Sequence, residues 1–247
     1  MTAGIEIKNT SGVVTIDETY ANLHMVASGS VNPYTNPAGN NGSLIYWYDL
    51  TYAGSSYNQP LIFLNYTPGT ANAAAGLVGC YNSGNNWIFR IAVFWNYTQN
   101  PSTGEVTVNR PSNTTVNYYI YDNPPNSTSS NGALIVYNGS GNVVFNSNYK
   151  PLVVKASVGL NTSVTGLPSN TYAFCANCIL YAWESDQDYL DSNGSWSYTR
   201  IYHTDITGYR CTPTSVDIFA MSMGGTVPFD PTKYFVLSDG AMLVAKA

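Results

Sequence analysis

Apolar and polar residues alternate in short runs along the whole chain, and no window carries the period of an amphipathic helix together with recognisable caps. In Ile5-Glu6-Ile7 and Val14-Thr15-Ile16 the alternation is strict, the mark of a strand with one buried face. Strand-like runs follow at 43–52, 61–66, 76–81, 87–97 and 115–121, and again at 152–158, 172–183, 196–204, 215–221, 234–237 and 241–245. Between them stand Asn-Pro, Ala-Gly-Asn-Asn-Gly, Thr-Pro-Gly and Ser-Gly-Asn-Asn clusters, whose residues make turns because they tolerate positive φ, fix φ, or bond their own backbone. Short strands at this spacing predict antiparallel sheets packed face to face, an all-β sandwich class.

Residues 4–26 read GIEIKNTSGVVTIDETYANLHMV, and residues 133–155 read ALIVYNGSGNVVFNSNYKPLVVK. They align without a gap at an offset of 129, so that Asn9, Ser11, Gly12, Val14, Tyr20 and Leu23 match Asn138, Ser140, Gly141, Val143, Tyr149 and Leu152. Apolar positions correspond as well: Ile5 with Leu134, Ile7 with Val136, Ile16 with Phe145, Met25 with Val154. Each copy encodes a strand, an Asn-x-Ser-Gly turn in which Gly takes positive φ, and a second strand, and so predicts a β-hairpin. Just before the second copy, residues 122–131 hold the paired prolines and small polar residues of a linker. With 247 residues the chain has room for two cores. The expectation is two tandem antiparallel β-sandwich domains, 1–122 and 132–247, each opened by a related hairpin and joined through a Pro/Ser/Asn linker at 123–131.

Composition removes several function classes. Only 9% of residues are charged and the formal net charge is -5, while Tyr supplies 21 of the 34 aromatic residues and Asn occurs 28 times. This is a polar surface made largely without ions. A hydrophobic content of 44% argues against disorder, and nine scattered Lys and Arg cannot line the basic stripe that nucleic acid requires. No run reaches the roughly 18 to 20 apolar residues of a membrane span. The start, Met-Thr-Ala-Gly-Ile-Glu-Ile-Lys, has neither the basic nor the apolar region of a signal peptide, so none is expected, and the nine Asn-x-Ser/Thr sequons are read as a by-product of composition. Cys175 and Cys178 form one C-x-x-C, but without a second pair beside them the cysteines are expected to be buried thiols.

The densest polar feature is the segment 184–194, which holds Glu184, Asp186, Asp188 and Asp191, four of the fourteen acids. Its expected form is a solvated loop between a strand ending at Trp183 and one beginning at Trp196. Such a loop can offer Ca²⁺ the six to eight oxygens, roughly, that it takes, so these acids are the candidate metal ligands, although the EF-hand spacing is absent; no other cofactor is expected. Paired carboxylates would also serve a glycosidase, and His203 near Asp205 is a conceivable acid-base pair. No nucleophile elbow or phosphate-cradling loop accompanies them, and no enzymatic activity is expected. Aromatic side chains remain. Tyr189, Trp196, Tyr198 and Tyr202 form the candidate recognition surface, wide apolar rings with polar tips suited to saccharide or protein, whereas Trp47, Trp87 and Trp95 are expected in the core.

The two hairpins, GIEIKNTSGVVTIDETYANL and ALIVYNGSGNVVFNSNYKPL, resemble small two-part β proteins encoded among the tail genes of long-tailed bacteriophages. Between the hairpins the likeness is one of texture alone. The resemblance implies a structural virion component of the tail tip or fibre, assembled in the host cytoplasm and released with the particle. It implies other tail proteins as partners, a symmetric homo-oligomer with a trimer favoured, and a contribution to recognising a host surface glycan or protein. It carries over no catalytic residue. The alternatives are a Ca²⁺-assisted carbohydrate-binding module and, behind it, a glycan-cleaving enzyme.

Overall fold

The computed structural model describes residues 6–8, 14–17, 22–41, 44–53, 60–69, 73–99, 103, 106–123, 134–159, 162–175, 179–190, 196–225 and 241–247; at 6–8, 14–17, 41, 99, 106, 179–190, 196–207, 220–225 and 241–242 the backbone alone is described. Among these residues every regular element is a strand. In chain order they are β1 (Glu6–Lys8), β2 (Val14–Asp17), β3 (His24–Val31), β4 (Gly39–Asn41), β5 (Ile45–Ala53), β6 (Leu61–Asn65), β7 (Ala73–Ser83), β8 (Asn86–Trp95), β9 (Tyr97–Gln99), β10 (Val106–Val108) and β11 (Val116–Asp122). Then come β12 (Ile135–Tyr137), β13 (Val143–Asn146), β14 (Val154–Gly159), β15 (Tyr172–Cys175), β16 (Ile179–Leu190), β17 (Trp196–Cys211), β18 (Val216–Gly225) and β19 (Ala241–Lys246). A six-stranded antiparallel sheet runs β14-β19-β15-β6-β11-β3, and a seven-stranded sheet runs β16-β17-β7-β8-β5-β4 with β18 also on β17. The main core lies between them, built from Ile62, Leu64, Val116, Phe174 and Val244 of the first and Leu77, Phe89, Ile91, Val93, Trp95 and Tyr209 of the second. The all-β, sandwich-like class read from the pattern is the class observed.

The two halves are not separate sandwiches, and here the expected domain division needs correction. Each half contributes three strands to the six-stranded sheet: β3, β6 and β11 from the first, β14, β15 and β19 from the second. They join where Phe174 of β15 pairs with Leu64 of β6, and the other sheet joins where Tyr209 of β17 pairs with Ala75 of β7. Asn65 Nδ2 donates to Tyr172 O at 2.6 Å, Cys211 N to Tyr66 O at 2.6 Å and Thr67 Oγ1 to Cys211 O at 3.1 Å across the seam. Two isolated three-stranded half-sheets would each leave an open edge there. Fusing them pairs those edges and makes one core.

Duplication extends well beyond the opening hairpins. The pair β1–β2 and the pair β12–β13 begin and end at positions 129 apart and carry the same register slip, between Ile7 and Lys8 in one and Val136 and Tyr137 in the other. In the second copy the turn is formed as the sequence predicts: Asn138 Oδ1 accepts from the amides of Ser140 and Asn142, and Gly141 takes φ of 80°. The long hairpins β7–β8 and β17–β18 correspond at the same offset. Ser83 pairs with Asn86, and Thr212 N donates to Ser215 O at 2.9 Å. Pairing of the copies is reciprocal about Leu23 and Leu152, themselves 129 apart: Leu152 N donates to Leu23 O and Met25 N to Lys150 O, with His24 bridging Pro151. The segment entering β14 thereby bonds the start of β3, and the six-stranded sheet curls back on itself around Phe63, Tyr121, Ala173 and Ala245.

Candidate functional site

The acid-rich segment is strand, not loop. β16 continues past Trp183 to Leu190 and pairs with β17 without a register break, setting Glu184 opposite Tyr202, Asp186 opposite Arg200, Asp188 opposite Tyr198, Tyr189 opposite Ser197 and Leu190 opposite Trp196. Tyr181 and Trp183 precede the acids, Tyr189 and Leu190 follow them, and Ile201, Thr199 and Tyr198 of β17 stand opposite the run, a strand-forming context that sustains pairing through Ser185 and Gln187. Twelve paired positions make a ribbon roughly 40 Å long. From Ser185 and Ile201 outward its strands pair only with each other among the described residues, whereas β18 reaches β17 no further than Tyr202. Among the described residues the outer half of the ribbon, 185–190 with 196–201, is therefore a two-stranded arm.

Of the residues singled out by the sequence, Glu184, Asp186, Asp188, Trp196, Tyr198 and Tyr202 belong to one alternating set of the ribbon and Tyr189 to the other; Asp191 lies outside the described residues. Arg200 joins that set opposite Asp186. Sequence reading passed over it, although the alternation Trp196-x-Tyr198-x-Arg200-x-Tyr202 was there to be read. His203 and Asp205 fall within β17, paired to Trp183 and Tyr181 on one side and to Gly224 and Ser222 on the other.

On the body, one cluster brings together residues far apart in sequence. Asn32 Oδ1 accepts from the amides of Tyr34 and Thr35, both at 3.1 Å, and from Thr114 Oγ1 at 3.0 Å, which fixes the loop after β3. Tyr34 meets Tyr46 of β5 edge to face at 5.0 Å, and Tyr46 stacks on Trp95 of β8 at 5.4 Å and 17°. Over Tyr34 lies the guanidinium of Arg110, 4.2 Å from the ring centroid and 6.0 Å from that of Trp95. Trp95 is fully buried and its Nε1 meets no acceptor, a debt of about 1–3 kcal/mol. The expected core position of Trp95 is thus observed, while Trp47 and Trp87 are half-buried, Trp47 lying against Gly39 and 5.9 Å from the Arg90 guanidinium.

Titratable groups inside the body serve the fold. His24 is buried between the copies, Nδ1 donating to Asn22 O at 2.6 Å and Nε2 accepting from Asn146 N at 3.5 Å, and desolvation lowers its pKa so that it stays neutral. Asp122 is raised by burial, and Tyr52, which donates to it at 3.4 Å, is pushed up to about 12 by burial and by that carboxylate. Cys80, Cys175 and Cys211 are thiols, and burial raises Cys175 to about 11 and Cys211 to about 12, far from thiolate chemistry at neutral pH; Cys178 lies outside the described residues. No family model, curated protein or solved structure matches the chain.

Proposed function

We propose that the protein is a non-enzymatic structural component of a bacteriophage tail, at the tip or in a fibre, whose arm contributes to recognising the host surface. The observation that carries the reading is the β16–β17 register, which sets three acids across from Tyr202, Arg200 and Tyr198 on one two-stranded ribbon. Tyr and Trp supply contact area at low entropic cost and acids supply polar discrimination, the combination used to read glycans and protein surfaces. A surface with few charges suits work outside a cell, since its interactions change little with salt. In this reading the protein is assembled in the host cytoplasm, joins other tail proteins as a symmetric homo-oligomer, a trimer at a fibre axis, and leaves with the particle.

Two measurements test it. Light scattering of the purified protein is expected to report a homo-oligomer, and adsorption of labelled protein to host cells is expected to fall roughly tenfold or more when Trp196, Tyr198 and Tyr202 are replaced together by Ala. A monomer at high concentration whose adsorption ignores the triple change would overturn the reading. Release of reducing ends from host polysaccharide would overturn its non-enzymatic part, and adsorption abolished by EDTA would move the assignment to the cation-assisted module.

A further inference from the structure

The duplicated scaffold separates what the fold needs from what one half adds. Position 129 beyond Trp95 is Gly224, and position 129 beyond Tyr34 is Ser163, so the second half is built without the aromatic stack of the first. Trp95 itself belongs to the shared core, but the placing of Tyr34 and Arg110 over it is not part of the duplicated plan. Both are nevertheless held firmly. Tyr34 is set by the Asn32 turn, and Arg110 is flanked by buried Pro111 and by Asn109, whose amide donates to Asn96 O at 3.0 Å. Arg110 is exposed, and no carboxylate lies within ion-pair distance of it among the described residues, whereas Arg90 is held by Asp49 through two contacts of 2.7 Å. The N–H fork of a guanidinium matches the two oxygens of a carboxylate, and a cation–π contact with a ring does not use up those donors.

We infer that Arg110 on its Tyr34 shelf is a binding site for a carboxylate-bearing saccharide, with the guanidinium holding the carboxylate and the hydroxyl of Tyr34 offered to a sugar hydroxyl. The chemistry stands apart from the arm. Only the source of such a sugar, an acidic polysaccharide of a host surface, rests on the tail reading. In a chain with net charge -5 the local guanidinium, not global attraction, supplies the affinity for an anion.

The test is calorimetric titration of the full chain with trigalacturonic acid, its methyl ester and a glycerol phosphate oligomer. Binding of the acid is expected to exceed that of the ester by roughly tenfold and to weaken with added salt. Arg110→Ala should abolish it and Arg110→Lys should weaken it by about tenfold, because Lys offers a point charge in place of the fork; the position is exposed, so the melting midpoint of both variants should stay near wild type. The double variant Tyr198→Ala, Tyr202→Ala should bind as wild type. Absence of binding, equal binding of acid and ester, preference for the phosphate oligomer, or binding unaffected by Arg110→Ala would each overturn the assignment. Adsorption to host cells lost in the arm variant while trigalacturonate still binds would leave this site standing independently of the arm, and the reverse pattern would leave the tail reading standing without it.

Discussion

The two halves of the molecule share a plan and differ in what is built on it. Both open with the same hairpin, bulge included, both give three strands to the six-stranded sheet, and both send a long hairpin into the other sheet. On that plan the first half adds β4, β5 and the Tyr34–Arg110 shelf, whereas in the second half β17 runs six residues further toward its N-terminal end than β7 does at the same offset and pairs with β16 as the arm. Shared features are where the two copies bury each other. Of the unshared features, Arg110 is exposed and the outer arm pairs only within itself among the described residues, and those are the features assigned a recognition role.

The largest expected effect comes from breaking the seam that makes the copies one body. Phe174 is fully buried on β15, against Tyr209 at 5.3 Å. Phe174→Ala should cost about 3–5 kcal/mol in chemical denaturation and should remain a single transition. Two separated transitions would mean that the halves unfold independently and that the shared core is overstated.

Next in size is a pair of equivalent glycines. A Cβ at Gly208 would stand 2.7 Å from Ala75 O and 2.7 Å from a Phe94 ring carbon, while one at Gly79 would find only Arg90 Cβ at 3.6 Å. Gly208→Ala is expected to destabilise by about 1–3 kcal/mol, and Gly79→Ala to lie within about 0.5 kcal/mol of wild type. Equal effects would remove the distinction between the root of the arm and its counterpart.

His24 gives the third comparison, since position 129 beyond it is Val153. Its folded-state pKa is lowered from 6.5 by desolvation, so the unfolded chain takes up a proton first as pH falls. The stability it contributes is complete above 6.5 and is lost progressively below that value. Melting midpoints should decline from pH 7 toward pH 5, and His24→Gln should flatten that part of the curve; an unchanged slope would assign the decline elsewhere. The smallest effect is expected at the Asp49–Arg90 pair, whose side chains are about 30% exposed. Asp49→Asn should cost at most about 1 kcal/mol, and the loss should shrink in high salt.

How much of this could be read in the sequence depends on the range of the interaction. Strand character, the Asn138–Gly141 turn, the duplication of the hairpins and the burial of Trp95 all follow from neighbours within a few residues or from self-similarity. The site was partly legible: the aromatic and acidic residues of the arm stand out in composition, but reading Asp and Ser as loop formers hid the strand, and with it Arg200 opposite Asp186. Nothing local announces the shelf, because Tyr34, Tyr46, Trp95 and Arg110 come from four separate stretches that only the packing of β5 and β8 brings together.

By itself the sequence determined the all-β class, the positions of most strands and the existence of two related copies, since alternation and turn chemistry are local. Tertiary structure alone decided that the copies share both sheets. Tyr172-Ala-Phe-Cys175 is apolar at every position and buried on both faces, a pattern that shows a central strand and says nothing of which strand lies beside it. Backbone hydrogen bonds are the same for any partner, so the choice of β6 rests on long-range packing of Phe174 and Leu64 into one core.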